Sequence, residues 1–228
     1  MFPLSDSIRP QKFPLVTYIV IVLNILVFIA ELFAQDTNLF IQNYALTPSH
    51  INIFQPYSLL PFVTSIFLHG GFFHIASNMY FLWIFSDAVE ERAGKLRFIL
   101  IFLVAGVVGN LVQYLLSPSS TIPMLGASGA VSGVLGAYFV FFPKARIKSL
   151  LLFFFVLTVT EIPSVLYIGY WFIVQLFSGF ASFADFEGGG IAFWAHVGGY
   201  AAGYYLAKKF KEKEKMKEDG IIEGEIVD

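Results

Sequence analysis

A serine, two histidines and an amide stand out against the apolar stretches of this 228-residue chain. Ser128 sits in Gly126-Ala127-Ser128-Gly129, where an uncharged loop enters an apolar run. The glycines permit a tight turn and leave the serine oxygen unobstructed. The first N–H groups of a following helix lack internal partners, and they would face an oxyanion formed on a carbonyl attacked by the serine. The stripe Gly126, Gly129, Ser132, Gly133 and Gly136 equally suits close helix packing with no chemistry at all. His196 lies in Trp194-Ala195-His196-Val197-Gly198-Gly199, and Gly199 and Gly203 open one helix face to close approach. If the helix that approaches carries Ser128, imidazole and hydroxyl come within hydrogen-bond reach; the plainer alternative is a histidine satisfying an interhelical hydrogen bond. His74 and Asn78 are four residues apart and share a helix face. They suit donation to the same oxyanion, or anchoring of the adjoining loop. His50 and His69 read as structural or incidental.

The elements that must hold these groups are membrane helices. The chain is 57% hydrophobic and 13% charged, too little charge to cover a soluble domain. Several apolar runs reach the ~18 residues of a membrane span. Six spans are predicted, at 14–34, 73–90, 97–116, 126–142, 162–180 and 191–207. The first is too long for the apolar region of a secretory signal and reads as a retained span. The run 147–160 is apolar but precedes Glu161 and Pro163, and it reads as a short interfacial segment. All 14 Lys and Arg residues fall on one side of this scheme, and the connections 35–72, 117–125 and 181–190 contain none. The positive-inside rule then puts both termini in the cytoplasm. The expected fold is an all-α, six-helix integral membrane bundle. Residues 1–13 form a cytoplasmic segment, 14–207 the membrane domain and 208–228 a charged cytoplasmic tail. The second, fourth and sixth spans all run inward, and each carries its polar group near the outer start, so His74, Asn78, Ser128 and His196 can share one depth.

Other chemistries fit less well. Cysteine is absent, which excludes a thiol nucleophile, a thiolate metal site and disulfides. There is no H-E-x-x-H sequence for a zinc protease. Asp87 is the sole aspartate inside the predicted spans, where an aspartyl protease needs two. No internal repeat suggests a transporter. No cofactor, metal or nucleic-acid partner is expected.

His74-x-x-x-Asn78, Gly126-x-Ser128-Gly129 and Ala195-His196-x-x-Gly199 with Gly203, in that order on spans two, four and six, resemble the signature of the rhomboid intramembrane serine proteases. Glu90-Glu91-Arg92 is similar to the family's acid-x-Arg element. The resemblance covers roughly residues 14–207. It implies Ser128 as nucleophile, His196 as general base, and His74, Asn78 and the Ser128 N–H as the oxyanion hole. It also implies a water-filled cavity open to the outside, transmembrane proteins as substrates, and lateral entry near the fifth span. That span and the turn after it are rich in aromatics, among them Tyr170, Trp171, Phe172, Phe177 and Phe180. The alternative within the family is an inactive relative that binds and escorts membrane proteins. In a prokaryote the membrane would be the plasma membrane. Two positions depart from the common pattern. Leu60-Pro61 stands where many members have Trp-Arg, and Ser132 stands where many have a tyrosine supporting the base. Span six offers no acid, and Asp185 and Glu187 lie beyond it in the outer loop, so a two-residue dyad is expected rather than a triad.

Overall fold

The computed structural model describes residues 1–153, 156–182 and 191–219. In chain order these form β1 (Phe2–Asp6), α1 (Leu15–Leu32), α2 (Thr37–Tyr44), α3 (Pro61–Thr64), α4 (Phe72–Ala93), α5 (Lys95–Leu116), α6 (Ser128–Phe141), β2 (Arg146–Phe153), β3 (Val156–Pro163), α7 (Ser164–Ser182) and α8 (Phe193–Glu218). Short 3-10 turns lie between α2 and α3 and before α4.

Helices α1, α4, α5, α6, α7 and α8 stand where the six spans were expected. Three of them, α1, α5 and α7, are by themselves long and apolar enough to cross a membrane. A fourth crossing is counted if Pro56–Phe67 and α4, bent by 76°, are taken as one span. The other two differ for local reasons. Helix α6 has only 14 residues, and α8 runs past the expected end of its span into the Lys- and Glu-rich segment as far as Glu218.

Helix α6 is the centre of the molecule. Every residue from Gly129 to Tyr138 is buried, so it is covered on all faces, as its uniformly small and apolar sequence requires. Its most extensive packing is against α8, then α5. A methyl group on Gly199 would overlap the Gly129 carbonyl, and one on Gly203 would overlap the Gly133 carbonyl. The α6 and α8 backbones touch there, which only glycine allows. Phe85, Phe98, Ile101, Phe102 and Leu135 fill the space around them.

The basic residues gather at one end. Glu90, at the end of α4, accepts hydrogen bonds from the Val16 and Thr17 amides at 3.0 and 2.7 Å and so caps α1. Glu91 accepts from the Gln11 amide at 2.8 Å. Arg92 and Arg97 each reach Glu214 of α8 at 2.7 Å. The acid-x-Arg element therefore ties α1, α4 and α8 together at this end, and Arg97 adds α5.

The segment expected to be a short interfacial stretch is instead a β-hairpin, β2 and β3, joined by β1 into an antiparallel sheet of order β1-β2-β3. The apolar run hides a period of two. Ile147 and Ser149 are buried while Arg146 and Lys148 are exposed, and the rest is rich in β-branched residues. Tyr138 donates to the buried Asp6 Oδ2 at 2.5 Å, which locks the sheet to α6.

Candidate active site

At the end opposite the basic residues lies a cavity of about 710 Å³. Its lining includes residues from the connections after α1 and after α5, together with parts of α4, α5, α6, α7 and α8. Ser128, His196, His74 and Asn78 all line it.

Each is placed by a local feature. The loop before α6 is pinned by a two-way backbone bridge between Leu46 and Met124, at 2.9 and 2.8 Å, and by the Gly126 amide donating to Ser65 O at 2.9 Å. Gly126 has φ 122°, a conformation that side-chain-bearing residues rarely adopt, and it turns the chain into α6. It also lies directly against α4. A methyl group there would be 2.6 Å from the His74 ring and 3.7 Å from Asn78 Nδ2. The turn that presents Ser128 is thus in contact with the face of α4 that carries both residues. Ser128 begins α6, no side chain caps that helix, and the residue is half-buried.

His196 is held from α8. Its neighbour Ala195 is wedged against the glycines of α5 and α6, since a methyl group on Gly109 would overlap the Ala195 carbonyl and one on Gly129 would lie 3.4 Å from it. The His196 ring has Trp171 and Phe193 as aromatic neighbours, each with its centroid 6.3 Å away. Its Nδ1 is hydrogen-bonded to Gln175 Oε1 of α7 at 2.7 Å. Ser132 donates to the Ser128 carbonyl at 2.6 Å and so serves α6 rather than the histidine.

Asn78 Nδ2 is buried and has no hydrogen-bond partner among the described residues. It lines the cavity, so the donor is within reach of whatever the cavity holds. His69 is buried, lies edge-on to His74 at 5.2 Å, and has its backbone N–H bonded to Glu31 Oε2 at 3.0 Å. That backbone bond ties the loop to α1, and neither ring nitrogen of His69 has a hydrogen-bond partner among the described residues. His50 is exposed in the 3-10 turn Pro48–His50 and is not among the residues lining the cavity, although Pro48 is. Asp185 and Glu187 lie outside the described residues.

Three side chains had no part in the reading of the sequence. Gln175 and Glu31 are polar groups in apolar helices, which was a signal open to reading. Asn110 of α5 donates to Phe62 O at 3.0 Å and to Ser65 Oγ at 2.9 Å, and so anchors the segment that carries Leu60-Pro61.

The family model of the rhomboid domain matches residues 56–212. The presenilin-associated rhomboid-like protein, mitochondrial, of Mus musculus is 38% identical over 100 residues, 43% of this chain and 26% of that protein. Rhomboid protease GluP of Bacillus subtilis is 45% identical over 75 residues, 33% of this chain and 14% of that protein. Rhomboid-like protein 11, chloroplastic, of Arabidopsis thaliana is 34% identical over 130 residues, 57% of this chain and 43% of that protein. The chain spans less than half the length of each of these relatives.

Proposed function

This chain belongs to the rhomboid family, and on that premise we propose that it is an intramembrane serine protease cleaving transmembrane proteins in or near their membrane segments. The observation that carries the reading is the cavity itself. Its lining includes a hydroxyl at a helix start, an imidazole and a buried amide donor, all from positions that match the family signature.

In this reading Ser128 Oγ attacks the scissile carbonyl while His196 Nε2 accepts its proton. The carbonyl oxygen becomes an oxyanion, stabilised by Asn78 Nδ2, the His74 ring and the Ser128 N–H. The C–N bond then breaks, and the imidazolium returns the proton to the departing amine. Water, deprotonated by the same imidazole, hydrolyses the acyl-enzyme and restores Ser128.

The placement in the bilayer follows from lengths. Fourteen residues of helix span about 21 Å, against about 30 Å of hydrocarbon. With the end of α6 at the basic face, Ser128 sits below the opposite surface, where the cavity admits water. Residues 14–207 act as the membrane domain, both termini are cytoplasmic, and substrates enter beside α7.

A fluorophosphonate probe tests the reading. The wild-type protein in detergent is expected to label covalently, and Ser128→Ala to remove the labelling. A folded wild-type protein that fails to label would sink it and favour the escort role.

A further inference from the structure

The serine mechanism needs His196 in one of its two neutral tautomers. Nε2 must be free of hydrogen to receive the Ser128 proton, so Nδ1 must carry the hydrogen and donate it. An acceptor at Nδ1 sets this choice and holds the ring's orientation. In a Ser-His-Asp triad a carboxylate does both. Here the side chain bonded to the ring among the described residues is Gln175, with its Oε1 2.7 Å from Nδ1.

We infer that Gln175 is a positioning residue for the base: its amide oxygen accepts the Nδ1 hydrogen of His196, fixes the tautomer and holds Nε2 toward Ser128. The inference rests on the protease reading and assigns a role to a residue outside the family signature. Three observations support it. The bond links two helices that meet over a small area, and a second bond, from Trp194 Nε1 to Gly179 O at 3.0 Å, fastens the same pair one helical turn further along α7. The two contacts fix α7 and α8 relative to each other at the cavity. The ring support that a tyrosine four residues after the serine would give is lacking, because Ser132 turns to the Ser128 carbonyl. Trp171 and Phe193 are too far, at 6.3 Å, to stack tightly. Finally, Gln175 lies on a helix whose neighbouring Ile173, Val174 and Phe177 are exposed, on a face suited to lipid. A neutral amide supplies the acceptor there without placing a charge in the bilayer.

The amide can also be turned so that its NH2 donates to Nδ1. That would select the opposite tautomer, so a residue able only to accept decides the matter. The full chain is purified with Gln175→Leu and with Gln175→Glu, and the second-order rate of fluorophosphonate labelling is followed from pH 4 to 9 beside a thermal melt. Gln175→Leu is expected to label roughly 10- to 1000-fold more slowly, beyond what the fall in melting temperature from the lost bond explains. Gln175→Glu is expected to recover most of the rate, with the acid limb of its profile displaced to higher pH, because a carboxylate accepts the same bond and favours the imidazolium. His74 is the other imidazole lining the cavity and is common to all variants, so the displacement reads the Gln175 position. A Leu variant within twofold of wild type, or a Glu variant with an unmoved acid limb, overturns the inference. The Glu profile decides the question even where the Leu variant fails to fold. Absence of labelling in the wild type would instead refute the protease reading.

Discussion

Asn78 separates chemistry from architecture. Its Nδ2 is buried at the cavity wall and makes no hydrogen bond to another described residue, so no contact within the fold depends on that donor. An oxyanion would supply the missing acceptor only as the carbonyl is attacked, which is how a group comes to favour the transition state over the ground state. Asn78→Ala is therefore expected to lower kcat roughly 10- to 1000-fold at similar KM, with a melting temperature equal to or above wild type. Steady-state kinetics on a transmembrane substrate with a parallel melt checks both halves. A lower melting temperature with kcat untouched would assign Asn78 to loop anchoring. Asn78, His74, Ser128 and His196 were all legible in the sequence because each is polar in an apolar or glycine-rich setting. Gln175 has the same character. Its significance was not legible, because it depends on where α7 meets α8, and no spacing within one helix encodes that approach.

Among the helices, the joint between α6 and α8 makes the strongest demand. The backbones meet at Gly129 with Gly199 and at Gly133 with Gly203, so any side chain must push two helices apart rather than rotate away. Both His196 and Ser128 would then shift with their helices. Gly203→Ala is expected to destabilise the protein by about 1–3 kcal/mol and to reduce activity by more than the lost folded fraction explains. Gly70→Ala is the control. Gly70 also lines the cavity, but a methyl group there would meet only Leu125 Cδ1 at 3.4 Å. Thermal melts and labelling rates of the two variants make the comparison, and equal stability would mean that the α6–α8 joint is slack. Here sequence reading succeeded because the four-residue spacing of glycines states its purpose. It did not see the β2–β3 hairpin, since the run from Leu150 to Val159 is almost uniformly apolar and masks the alternation evident at Arg146–Ser149. The pairing with β1 is also a long-range event, linking residues 2–6 to 147–150.

For the protein as a whole, charge and cavity lie at opposite ends. Arg92 and Arg97 join Glu214, and Lys211 Nζ reaches Val140 O at 3.4 Å, so the ends of α4, α5, α6 and α8 meet in one basic layer. The cavity draws on Pro48, Ser117, Ser120, Ile122 and Ser182, from or next to the three connections that hold no Lys or Arg. Moving a lysine or arginine across a bilayer during insertion is costly, so the proposed topology keeps the basic layer inside and opens the cavity to the outside. Because the chain has no native cysteine, single cysteines can report this directly. Gln42 and Thr121 are exposed at the cavity end, and Lys95, Lys144 and Glu212 are exposed at the basic end. In intact cells an impermeant maleimide is expected to label cysteines at Gln42 and Thr121. Cysteines at Lys95, Lys144 and Glu212 should label only after permeabilisation. The Lys144 position carries the most weight, because it follows α6 directly and α6 begins with Ser128. Labelling there from outside would invert α6, place Ser128 at the inner face, and leave the cavity without access to the outer surface that the proposed proteolysis requires.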